Sequence, residues 1–305
     1  MIDDALAAVA ARAAELDDVI LAKEALRLGL SWRDLRAFRL VADQPLVRGA
    51  VAVPPVRHPL RASARAAQLV VPAAVLSDDT SSHLHDLQGI GFWTPDRAVD
   101  LTLPSRATRR QRQGARLHFR DIPEEDIVDL DGLRVTSVGR TLVDCAAKAD
   151  RESFVSLVDS AINRKRFPAD ELASLAEGLR QARCSRAAAW MRLVDGRSES
   201  PSETRVRLRL TDAGLPPDEL QYLVLDEDGY PVARLDLAYV RGGRRVGLEV
   251  DSGEHDRLLA MYRDRDKHNA LKGLGWDVRH VTQRDSRTRP YYVVSQVRDA
   301  LGLPE

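Results

Sequence analysis

Two hydrophobic periods run through the chain, one near 3.6 residues and one of two, and they change over at glycines and prolines. Residues 3–16 place Leu6, Val9, Ala10, Ala13 and Leu16 on one stripe, the mark of an amphipathic helix. A second short helix over Leu21–Leu28 stops at Gly29. Ser31 then caps a third, Trp32–Leu40, with Asp34 at its third position. Two short helices joined by a tight glycine turn predict a helix-turn-helix, in which Leu35, Phe38 and Leu40 face inward and Arg33, Arg36 and Arg39 lie on the exposed side. Pro45–Val53, turning at Arg48-Gly49, predicts a two-stranded wing. Further on, Val99–Leu103, Ala115–Phe119 and Gly132–Thr136 read as strands. Ser81–Leu87 and the stretch from Ser137 to Asp144 read as helical, as do two or three segments within 151–194. Gly196–Ser200 reads as a linker.

The last third begins with Ser200-Pro201-Ser202-Glu203, a capping box that opens a helix and occupies Glu203 structurally. Strand Gln221–Leu225, the turn at Asp228-Gly229, and two alternating runs separated by Arg241-Gly242-Gly243-Arg244 follow. A helix over about 257–272 ends before Gly275; a strand over Trp276–Val281 and a final helix over Pro290–Leu301 complete the order. In the alternating runs Leu235, Leu237 and Tyr239 share a face, as do Val246, Leu248 and Val250, while Asp236, Glu249 and Asp251 fall on the other. Paired as a hairpin, the three acids crowd together. That costs free energy unless a shared proton or a cation offsets it, and hard oxygen ligands suit Mg²⁺ or Mn²⁺. A solvated hairpin face is the alternative.

Composition narrows the classes. A chain of 305 residues, 44% hydrophobic and 30% charged, has room for two or three soluble domains. No apolar run nears the roughly 20 residues of a membrane span, and the start MIDDALAAVAARAAELDD is acidic and helical, which sets the expectation of a cytoplasmic protein with no membrane partner. Cys145 and Cys184 stand far apart without metal spacing, which argues against zinc. Lys+Arg and Asp+Glu balance at 46 each, so attraction to nucleic acid must come from local patches. One such patch, Arg106, Arg109, Arg110, Arg112, Arg116 and Arg120, reads either as a solvated loop or as a phosphate-contacting one. His83 and His85, two apart on a helix, point to different sides and form no joint metal site.

Two resemblances add to this reading. The helix, Gly29-Leu30-Ser31 turn and following stretch, with the later Gly132-Leu-Arg-Val-Thr-Ser and Arg140-Thr-Leu-Val-Asp, resemble abortive-infection type IV antitoxins, the AbiEi-like family. That resemblance implies a DNA-binding winged helix with Arg33, Arg36, Arg39 and Arg48 as contacts, and a toxin or defence-system partner; helix-turn-helix modules also serve in homodimers. The family's wing ends in a glycine-aromatic pair where this chain has Gly49-Ala50.

Pro201-Ser-Glu-Thr-Arg-Val-Arg-Leu, Ala233-Arg-Leu-Asp-Leu-Ala, Val246-Gly-Leu-Glu-Val-Asp, Glu254-His255, Tyr262-Arg-Asp-Arg-Asp and Leu274-Gly-Trp-Asp-Val look like actinobacterial relatives of the very-short-patch-repair (Vsr-like) endonucleases of the PD-(D/E)XK class. That implies Asp236 and Glu249 as metal ligands and Glu203 as an auxiliary carboxylate. Asp251 stands where many of the class carry lysine, so a base would come from elsewhere, His255 or Lys267 on the next helix. The expectation is an α/β (α+β multidomain) chain: a winged helix-turn-helix over 1–56, a mixed α/β middle over 57–196, and a restriction-endonuclease-like αβββαβ core over 197–305. Its expected function is a Mg²⁺- or Mn²⁺-dependent DNA endonuclease. The alternative is a non-catalytic DNA-binding regulator with a degenerate nuclease fold.

Overall fold

Three separate sheets carry the strands of this α+β chain in a computed structural model, which describes residues 2–42, 46–107, 114–251 and 266–304. Contacts divide it into two compact units, 1–148 with 181–184, and 149–180 with 185–305. Among the described residues no helix is long and apolar enough to cross a membrane.

The first unit opens with α1 (Ile2–Ala14), β1 (Val19–Leu21), α2 (Ala22–Arg27), α3 (Trp32–Ala42) and β2 (Ala50–Ala52). Val9, Ala13, Ile20, Ala25, Leu30, Leu35 and Val51 form its core. The turn between α2 and α3 uses Gly29 at φ +102°, a conformation open to a residue without a Cβ. Ser31 and Asp34 cap α3 reciprocally: Asp34 N donates to Ser31 Oγ (3.3 Å) and Ser31 N to Asp34 Oδ2 (2.8 Å). Among the described residues, 46–53 do not fold back on themselves as the expected two-stranded wing around Arg48-Gly49; Pro45 lies outside them. β2 pairs antiparallel with β1 instead, Val19 opposite Ala52, and Arg48 bridges to Ala50 outside any strand. The reason is burial on both faces: Val51 joins the helical core, while Ala50 and Ala52 pack with Val19, Ala62 and Ala66.

Helix α4 (Pro59–Val70), β3 (Val75–Leu76), α5 (Asp78–Leu84), β4 (Val99–Leu103), β5 (Ala115–Phe119), β6 (Ile127–Leu130), β7 (Leu133–Thr136) and α6 (Val138–Ala146) follow. The strands form a mixed sheet of order β5-β4-β3-β7-β6. Helix α4 packs on it through Ala64 and Ala67, residues small enough to bring backbone close to backbone.

The second unit holds α7 (Arg151–Asn163), α8 (Leu172–Gln181), α9 (Ser185–Trp190), α10 (Pro201–Asp212), β8 (Glu219–Leu225), β9 (Pro231–Arg241), β10 (Arg244–Asp251), helical residues 266–273, β11 (Trp276–Thr282), α12 (Gln283–Thr288) and α13 (Pro290–Leu301). Its sheet has the order β11-β10-β9-β8, antiparallel except for the parallel pair β10/β11. One face packs on α10 and α13 through Val206, Leu210, Leu237, Tyr239, Leu248, Val293 and Val297. The other carries Val224, Leu235, Ala238, Leu271 and Trp276. The 196–200 segment is anchored inside this unit: Asn163 Nδ2 donates to the Gly196 carbonyl (3.2 Å), and Asp195 N to Asp159 Oδ1 (2.7 Å). The division between units therefore falls near residue 148, and helices 151–163 and 201–212 pack together.

Candidate active site

Pairing between β9 and β10 runs from Arg241–Arg244 to Leu237–Leu248 and then stops. The next free amide on β10, Val250 N, is taken by a side chain, Asp236 Oδ2, at 2.7 Å. Asp236 thus sits where the two strands part, turned edgewise toward β10. This corrects the expectation that Leu235, Leu237 and Tyr239 share one face: Leu237 and Tyr239 pack toward α10 and α13, whereas Leu235 packs with Ala238 and Trp276 on the other side. β8 changes face at the same level, Leu220 going one way and Val224 and Tyr222 the other. Between them Gln221 is left-handed, at φ +53°. Alternation fails here although the register on either side, Leu220–Leu237 and Tyr222–Leu235, is kept.

Glu249 lies one residue beyond the last paired position of β10, in register with His280 on β11. Lys267 Nζ stands 2.6 Å from its Oε1, and His280 Nδ1 3.7 Å from its Oε2. Glu203, only 8% exposed, enters from the first turn of α10. Ser200 Oγ accepts from Glu203 N as expected (3.2 Å), but the carboxylate does not return to the Ser200 amide. Its Oε2 accepts from Glu199 N (2.8 Å) and from Gln221 Nε2 (2.9 Å) instead, which turns the group toward the sheet. Asp159 of α7 fixes α10 in place, accepting from Thr204 Oγ1 (2.8 Å) and Arg207 (2.7 Å).

The electrostatics follow from this crowding. Burial pushes Glu203 up to about 7; the Glu199 amide opposes that and the charge of Asp236 adds to it. Asp236 is also raised, chiefly by burial and then by Glu249, with the Val250 amide working the other way. The fork thus gathers Glu203, Asp236, Glu249 and Lys267. Asp251 ends β10 exposed, opposite Thr282. His255 lies outside the described residues. Gln221 and His280 had no signal in the hydrophobic pattern, where both read as ordinary strand positions.

Among the described residues no three Asp, Glu, His or Cys side chains form a ready-made metal cage. Mg²⁺ does not require one, since it is commonly held by one or two carboxylates with water and substrate oxygens completing its octahedron. Asp236 and Glu249 supply such a pair, and the buried Oε1 of Gln221 has no partner among the described residues. The donor set therefore fits a hard divalent ion.

In the first unit Arg33, Arg36 and Arg39 are exposed along α3 beside Trp32, 66% exposed, while Leu35 is buried beneath them. Arg48 is exposed as well. In the arginine-rich stretch, Arg109, Arg110 and Arg112 lie outside the described residues. Arg116, though exposed, pairs with buried Asp100 (3.1 Å), and the more enclosed Arg120 pairs with Asp78 and Asp144. They neutralise buried acids rather than solvating a loop. His85 Nε2 meets the Thr136 carbonyl (2.8 Å) while His83 lies by Arg97, so the two imidazoles part as expected.

No family model matches the chain. Proteins from two Mycobacterium tuberculosis strains, each described as an uncharacterized protein, are 29% identical to it over 189 residues. The match takes in 61% of this chain and 65% of each relative, so the chain spans just under two thirds of the relatives' length.

Proposed function

We propose that the second unit is a Mg²⁺- or Mn²⁺-dependent nuclease that hydrolyses phosphodiester bonds in DNA, and that Arg33, Arg36, Arg39 and Arg48 of the first unit bring it to DNA. The observation that carries this reading is the fork itself: half-buried Asp236 and buried Glu203 raised in proton affinity beside Glu249, with Lys267 as the near cation. Perturbed carboxyls gathered at a strand fork are the arrangement that metal-assisted hydrolysis uses. A divalent ion at Asp236 and Glu249 supplies a Lewis acid for the phosphate oxygen and an acidified water. The chain does the rest. The Val250 amide aims Asp236, Lys267 holds Glu249 and presents an ammonium near the phosphate, and Glu203 can exchange a proton with water near neutral pH. Resemblance to the Vsr-like PD-(D/E)XK class supports the same assignment, and free Cys145 and Cys184 suit a reducing cytoplasm.

Purified protein is expected to cut single- or double-stranded DNA with Mg²⁺ or Mn²⁺, and Asp236→Asn to stop it. A wild type inert toward single-stranded, duplex and nicked DNA with either ion overturns the reading. One observation favours a second one, a non-catalytic DNA-binding regulator of the AbiEi-like kind with a partner toxin or a second copy: Asp251 stands in the lysine position, and Lys267 already neutralises Glu249. Promoter-DNA retardation without cleavage by the same preparation selects it.

A further inference from the structure

Gln221 is the unexplained residue of the fork. Its cross-strand neighbours pair as Leu220–Leu237 and Tyr222–Leu235, which sets it opposite Asp236. Its backbone is left-handed at φ +53°, where a side chain with a Cβ is strained and persists only if the surroundings demand it. The amide is oriented by charge: Nε2 donates to Glu203 Oε2 at 2.9 Å, and turning it over would set a carbonyl oxygen against that carboxylate. The consequence is an orphan, because Oε1 is buried and meets no donor among the described residues. A buried amide oxygen left unpaired costs free energy, and such groups in folded proteins call for a ligand, an ion or a water. The titratable neighbours on this side, Glu203 and Asp236, are both acids, and the ammonium of Lys267 is taken up by Glu249, so this side of the fork is rich in oxygen.

Resting on the nuclease reading, we propose that Gln221 is part of the cation site: its Nε2 positions Glu203, and its Oε1 is a neutral oxygen donor to the divalent ion held by Asp236 and Glu249, directly or through one bound water. This gives strain and orphan one cause. Carboxylates bind Mg²⁺ and Ca²⁺ alike, and a single fixed neutral oxygen on the sheet adds a ligand without adding charge repulsion.

The test is Mn²⁺ binding to the chelator-treated full chain without DNA, by calorimetry, with thermal unfolding alongside. Wild type should bind, Asp236→Asn should lose binding, and Gln221→Leu should weaken it by about 10- to 100-fold, the range for residues that orient or supplement metal ligands. Gln221→Glu, which keeps an oxygen at the same reach but gives up the bond to Glu203, should bind Mn²⁺ more tightly than Gln221→Leu, a partial rescue that a packing role would not produce. Gln221→Leu binding Mn²⁺ as tightly as wild type, while Asp236→Asn does not, overturns the role of Gln221 alone. Failure of wild type to bind Mn²⁺, or Asp236→Asn binding unchanged, overturns the nuclease reading with it. Should Gln221→Leu not fold, Gln221→Met, of similar length and without the amide oxygen, decides: Mn²⁺ affinity equal to wild type overturns the proposal.

Discussion

Each unit gathers a group of acids, and the two groups are treated in opposite ways. In the first unit Asp78, Asp100 and Asp144 are 3%, 1% and 6% exposed, and basic side chains surround them. Asp78 meets Arg120, His118 and Lys148; Asp100 meets His118 (2.9 Å) and Arg116; Asp144 meets Arg120 and Arg140 (3.0 Å). Burial alone would raise Asp78, yet Arg120, His118 and Lys148 outweigh it and hold the carboxyl below its ordinary range. Asp144 keeps one unpartnered oxygen, and there burial prevails and the carboxyl rises. In the second unit Glu203 and Asp236 take their hydrogen bonds from amides, and Lys267 on Glu249 is the cation in contact with the group. Acids that are neutralised within the protein hold a fold together. Acids left short of positive charge keep the capacity to take up a proton or a metal ion.

The largest effect separating the two should come from charge removal at the fork. Asp236→Asn keeps an acceptor for the Val250 amide while deleting a ligand, so cleavage should fall by about 10³-fold, with the melting temperature unchanged or raised because like charges no longer crowd. A variant that unfolds rather than merely losing activity would place the fork among the structural networks. The converse change, Arg120→Ala, removes the cation that Asp78 and Asp144 share. It should cost the first unit about 3 kcal/mol, read as faster amide exchange in β4 and β7, with cleavage by the folded protein preserved.

Asp78 should also answer pH with the opposite sign to Glu203 and Asp159. A carboxyl raised by folding stabilises the protein while protonated, so the Glu203 contribution is complete below its ordinary value of 4.5 and is lost as pH rises through about 7. That span, 7 less 4.5, bounds the effect at about 3 kcal/mol. Asp159, raised to about 6 by burial against the opposing Arg207, adds in the same direction. Asp78, held low, contributes stability above its ordinary 3.8 and loses it as pH falls below. Amide exchange at pH 5 and pH 8 should therefore show the second unit loosening with rising pH while β4 and β7 change little. Glu203→Gln should flatten most of the slope in the second unit, and an unaltered slope would show that Glu203 does not set it.

How much of this could be read from the residues depends on what each position packs against. The β9–β10 hairpin was legible because Val246, Leu248 and Val250 alternate with polar residues and glycines mark the turn. The cap of α3 was legible because Ser31 and Asp34 act locally. The wing was not, since Ala50, Val51 and Ala52 are buried on both faces and carry no period. The break at Asp236 was also hidden: nothing in a glutamine announces a left-handed backbone, and the shift of Leu235 to the other face is set by Gln221 on the neighbouring strand. Arg120 read as part of a basic run because its partners Asp78 and Asp144 are distant in sequence.

The smallest effects should come from charges that are neither buried nor crowded. Arg33, Arg36 and Arg39 lie exposed along α3, where an arginine meeting a phosphate releases a counterion and adds little else. Each single change to alanine should weaken duplex binding only several-fold and reduce the slope of log affinity against log salt by about one. The triple variant should reduce it by about three, alike for unrelated sequences, while both acid groups and the melting behaviour stay as they were. Fluorescence anisotropy across a salt series reads this directly, and a triple variant whose slope matches wild type would remove α3 from the DNA-contacting surface.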